Sequence, residues 1–166
     1  MMTVTFLVVL AISLLVAFIA NRRGQQHSKR HTVELILVAF LVANGIMLIF
    51  GGMVHIINPS FVAEDIGWPT SVRFQFEVGI ANLAVGVLLV GCLRKRQEWL
   101  LAAIVASSIW GFGDGIGHII SHDQTGNTDP GNWGFALNLD YATNVIAIAL
   151  YAWLHVLRSR EQTPTS

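Results

Sequence analysis

Glu34-Leu-Ile-Leu-Val-Ala-Phe40-Leu-Val-Ala-Asn44-Gly-Ile-Met-Leu-Ile-Phe50-Gly-Gly-Met-Val-His55-Ile-Ile57 decides the fold. No charged residue stands between Glu34 and His55, and a helix needs roughly 20 predominantly apolar residues to cross the hydrocarbon core of a bilayer. Four further runs, at about 3–20, 74–93, 99–120 and 133–156, approach or reach the same length. The 166 residues are 54% hydrophobic and only 12% charged, with a mean hydropathy of +0.60; an average soluble domain carries roughly 25% charged residues. The expectation is an all-α, single-domain transmembrane bundle (1–166) of five helices. A separate soluble domain is excluded, and the zero net charge gives no reason to expect a nucleic-acid partner.

The charges are strongly ordered along the chain. Arg22, Arg23, Lys29 and Arg30 lie between runs one and two, Arg94, Lys95 and Arg96 between three and four, and Arg158 and Arg160 at the end of run five; only Arg73 falls elsewhere. Under the positive-inside rule the N-terminus is expected outside and the C-terminus in the cytoplasm. Run one has no basic residues before its apolar core, so it reads as an uncleaved anchor. Cys92, the single cysteine, reads as a small apolar residue near the inner face.

Between runs two and three, Asn58-Pro59 is a helix stop, and Phe61, Val62, Ile66 and Trp68 suggest a short amphipathic segment in the interface. Between runs four and five the chain is rich in Asp, Asn and Gly, with Asp129-Pro-Gly-Asn132 as a turn signal.

Seven of the ten acidic residues, Glu64, Asp65, Glu77, Asp114, Asp123, Asp129 and Asp140, fall toward the side expected outside. Asp114 and His118 are four residues apart and share a helix face, with His122 on the same stripe. Ionisable groups inside a membrane are costly and read by default as functional. His55, Glu77, Asp114 and His118 are therefore expected to converge as a metal-binding set for zinc, iron or manganese. Glu77 and Asp114 are also the candidate catalytic acids or bases. Gln75, Asn82, His122, Asp140 and Asn144 are expected around them, as supporting groups or further ligands. Two other readings stay open: a metal-free pocket that moves a proton or binds a small molecule, and a hydrogen-bond network that only holds helices in register. Glycines at 79 and 86, 111 and 115, and 113 and 117 are expected to admit close helix packing.

His55-Ile-Ile-Asn-Pro59, Ile66-Gly-Trp-Pro69, Phe74-Gln-Phe-Glu-Val-Gly79 and Gly113-Asp-Gly-Ile-Gly-His118 resemble a family of small uncharacterised bacterial inner-membrane proteins over residues 40–145. A looser similarity is to DoxX-like four-helix membrane proteins, some of which are linked to quinone-dependent sulfur oxidation. The resemblance implies the cell inner membrane as location and supplies no activity. The expected partners are membrane lipids, a small-molecule ligand, and a second copy of the chain or a larger membrane complex. Enzyme, transporter and accessory subunit all remain open at this stage.

Overall fold

A computed structural model describes residues 10, 11, 14, 15 and 28–162, all helical in their regular parts. Most of run one, with Arg22 and Arg23, lies outside the described residues; Leu10 packs against the core. Five helices follow: α1 (Lys29–Ile57), α2 (Pro59–Ile66), α3 (Val72–Gly91), α4 (Glu98–Thr125) and α5 (Phe135–Gln162). All but α2 are long and apolar enough to cross a membrane.

The helix ends follow local chemistry that hydropathy does not register. α1 begins five residues before the apolar run because the Ser28 hydroxyl accepts from the His31 amide at 3.1 Å. Asn58 closes α1, and its side chain then accepts from the Phe61 amide at 3.3 Å to start α2, with Pro59 in the first turn. The amphipathic segment expected here is this helix. It stops at Gly67, whose φ of 73° is the left-handed conformation that glycine adopts without strain. Ser71 caps α3, and Gly126 (φ 70°) ends α4 five residues past the expected boundary.

The long helices form an antiparallel ring in which α1 touches α3 and α5, and α4 touches α5 and α3. The closest approach, α1 on α3, is made by glycine. A Cβ on Gly45 would stand 2.8 Å from the Gly86 carbonyl oxygen, and one on Gly52 would stand 2.7 Å from that of Gly79. On each helix the two glycines are seven residues apart, so backbone meets backbone twice along one stripe. On α4, Gly111 and Gly115 lie against Asn144 and Tyr141 of α5, as expected. Gly113 and Gly117 instead face open space.

Val33, Leu37, Leu41, Leu89, Cys92, Leu100, Ile104 and Leu154 fill the half of the bundle nearest the basic segments. Cys92 is fully buried among them, and burial pushes its thiol up to about 11. At that end Glu34 pairs with Arg96 (3.3 Å) and accepts from Arg158 (3.1 Å), while Arg30 meets Glu161 at 2.8 Å. Three basic segments far apart in sequence thus share one end of the molecule. At the opposite end the two long connections bind each other: Asn127 Nδ2 donates to the Ile66 carbonyl at 2.8 Å, the Gly131 amide to that of Asp65 at 3.0 Å, and the Trp68 indole to Ser121 Oγ at 2.8 Å.

Candidate metal centre and internal cavity

Asp114 and His118 project from one face of α4, and Asp140 faces them from the first turns of α5. One ligand atom from each lies within 4.8 Å of the others, and His118 Nε2 stands 3.8 Å from Asp114 Oδ2. Divalent ions bond nitrogen and oxygen at about 2.1 Å, which sets tetrahedral neighbours about 3.4 Å apart. Small side-chain rotations close that difference. The His118 side chain is 6% exposed and that of Asp114 is 40% exposed, so the group is anchored in the protein on one side and open on the other.

The protonation pattern of His118 follows from its neighbour. Asn132, fully buried, donates from Nδ2 to the carbonyls of Asn127 (3.1 Å) and His118 (3.4 Å). Its Oδ1 therefore faces His118 Nδ1 at 3.0 Å as an acceptor. That fixes a proton on Nδ1 and turns Nε2 toward the two carboxylates; in the neutral ring this is the usual arrangement of a metal-bound imidazole and the group that orients it. The Trp68 ring lies against the imidazole, with centroids 5.4 Å apart.

His55 Nδ1 meets Gln75 Oε1 at 2.6 Å, which turns its Nε2 away from Gln75. Gln75 is fully buried, and its Nε2 has no hydrogen-bond partner among the described residues. His55 lines the same cavity as the Asp114, His118 and Asp140 group.

The cavity has a volume of about 250 Å³. Its mouth carries His55, Asp65, Trp68, Asp114, His118 and Asp140; its far end reaches Leu41, Leu89 and Ala147. Asn82 lines it and accepts the Trp110 indole proton at 2.7 Å; Asn144 lines it and donates to the Asp140 carbonyl at 2.6 Å.

The structure thus brings together His55, Asp114, His118 and Asp140, with Gln75, Asn82 and Asn144 around them. It does not bring Glu77. The buried face of α3 runs through Gln75, Gly79, Asn82, Gly86 and Leu89, and two residues past Gln75 is about 200° around a helix. Glu77 is accordingly exposed and lines no part of the cavity. His122 is also outside it: its ring stacks on Trp133 at 3.8 Å and its Nδ1 meets the Asn127 carbonyl at 3.0 Å. Sequence reasoning missed Asn132, whose turn-forming residue type gave no sign of a buried partner for His118.

A family model described as a family of unknown function, DUF6790, matches residues 3–160. The chain belongs to the DUF6790 family. The match agrees with the resemblance to an uncharacterised family and is silent on the looser likeness to DoxX-like proteins. No curated protein and no solved structure matches the chain.

Proposed function

We propose that this is a multi-pass inner-membrane protein that holds a divalent transition-metal ion, zinc, iron or manganese, between Asp114, His118 and Asp140. The basic end lies in the cytoplasm and the metal end on the outer side, in keeping with the positive-inside rule. The observation that carries this reading is the grouping of three ligand atoms within 4.8 Å, with the His118 tautomer held by Asn132. Three protein ligands leave coordination positions open, as in catalytic rather than structural sites. An ion so placed would polarise a bound oxygen or carry an electron, which supports hydrolytic or redox chemistry at the mouth of the cavity. His55, on the α1 wall of the same cavity, offers a further nitrogen near the site.

Elemental analysis of the protein purified without chelator tests this. Roughly one ion per chain is expected; it is lost in Asp114→Asn, His118→Ala and Asp140→Asn and kept in Glu77→Gln. Retention should weaken as acid protonates the imidazole and carboxylates. A metal content unchanged by the three ligand substitutions together would end the assignment.

A further inference from the structure

The cavity is long for its volume. Along α1 its wall runs from Leu41 to His55, fourteen residues and about 21 Å at 1.5 Å per residue. About 250 Å³ drawn out over that length describes an elongated cavity, a shape that accepts a chain end-on. Asn44, Met47, Leu48, Gly51 and His55 follow one helix stripe facing it. The polar groups at mid-depth are largely satisfied within the bundle: Asn44 Nδ2 donates to the Phe40 carbonyl at 2.9 Å, Asn144 to that of Asp140, and Asn82 accepts from Trp110. The Ser107 and Thr143 hydroxyls donate to the Ile104 and Leu139 carbonyls at 3.0 and 2.6 Å, and the rest of the wall is mostly apolar, with Leu41, Met47, Leu48, Val78, Leu89 and Leu139. Polar, ligand-bearing groups stand only at the mouth.

We propose that the cavity takes one unbranched alkyl chain whose anionic oxygen head, a carboxylate or its hydroxamate analogue, coordinates the ion between Asp114, His118 and Asp140; this rests on the metal reading above. Without an ion, Asp65, Asp114 and Asp140 would repel such a head. With one, the head completes the open coordination and the chain follows the apolar wall inward. Burial of successive methylenes then makes affinity depend on chain length. A carboxylate head on a single chain occurs in a free fatty acid, and a phosphate head that offers the ion the same anionic oxygen occurs in a monoacyl phospholipid; the bilayer supplies both.

Gly51 provides a clean way to block the cavity. It lies on the lining stripe, and a Cβ there would meet nothing within 4 Å. In phosphatidylcholine nanodiscs loaded with zinc, calorimetric titration with acetohydroxamate, hexanohydroxamate and decanohydroxamate, corrected against empty discs, should show affinity rising at least tenfold from the shortest chain to the longest. Gly51→Leu should abolish the dependence on chain length while retaining zinc, and that retention reports that the variant has folded; Gly51→Ala should weaken it partway. Decanoate compared with a monoacyl phosphatidic acid of equal chain length identifies the source by the tighter of the two. Affinity independent of chain length in zinc-loaded protein, or a Gly51→Leu variant that binds as the wild type does, would overturn the inference and leave the metal site standing. If the wild type takes up no zinc, the metal reading has failed; chain-length-dependent binding of decylamine by that metal-free protein would overturn the oxygen-head assignment as well.

Discussion

Replacing Asn132 by leucine strips the acceptor from the buried His118 Nδ1 and removes the amide's bonds to the Asn127 and His118 carbonyls. Each unsatisfied buried group costs about 1–3 kcal/mol, and loss of the group that orients a metal-bound imidazole typically lowers metal affinity roughly 10- to 100-fold. Zinc titration and thermal unfolding of Asn132→Leu should therefore both shift, whereas Glu77→Gln should alter neither. Cys92 makes a second residue-scale expectation. Full burial and a thiol raised to about 11 keep it protonated at neutral pH, so a maleimide should label it only after unfolding. These residues differ in what their sequence neighbours disclose. Asp114 and His118 announce themselves by spacing and membrane cost, and Cys92 by sitting in an apolar run. Asn132 sits in an Asp-Pro-Gly-Asn turn, where its chemistry is indistinguishable from that of an ordinary loop asparagine until the chain folds back on α4. Glu77 errs in the opposite direction: its charge suggests the site, but the face that α3 buries is set by Gly79 and Gly86, and that face excludes it.

At the level of elements, α1 and α3 are joined by backbone approach at Gly45–Gly86 and Gly52–Gly79. Gly52→Val or Gly79→Val would drive a side chain into the facing backbone, and a loss of at least 2 kcal/mol is expected, within the range of severe overpacking. Gly113→Ala, which meets open space, should be neutral or stabilising by up to about 1 kcal/mol through helix propensity. Thermal unfolding in one lipid environment compares them. The positions of the long helices were legible because twenty apolar residues admit little else in a chain of this composition. Their ends were less so, since Ser28, Ser71 and Gly126 act through hydrogen bonds and backbone angles to which a hydropathy window is blind. The seven-residue glycine spacing on α3 was visible, whereas its partner spacing on α1 gains meaning only once the two helices are set antiparallel.

Across the whole molecule, Glu34 gathers Arg96 and Arg158 at 17% side-chain exposure and so links α1, the α3–α4 connection and α5. Glu34→Gln should lower thermal stability measurably at low salt and less at high salt, because screening already weakens the pairs in the wild type. A reporter joined after residue 166 should prove cytoplasmic, and one inserted at Gly126, which is exposed and faces open space, should lie on the other side; the reverse at either site would undo the outward placement of the cavity. Asp114, His118, Asn132 and Asp140 all belong to the α4–α5 half of the ring, while the glycine contacts lock α1 to α3 in the other half. The two halves are stitched at the cavity mouth by Trp68–Ser121, Asn127–Ile66 and Gly131–Asp65, and at the basic end by Glu34. On the α3–α4 side the Trp110–Asn82 bond closes the middle as well, so the seam that can part along its middle is the one between α1 and α5. Sideways breathing there would admit a chain directly from the bilayer without stretching any bond among the three metal ligands, and only the reach of His55 across the seam would register that it had opened.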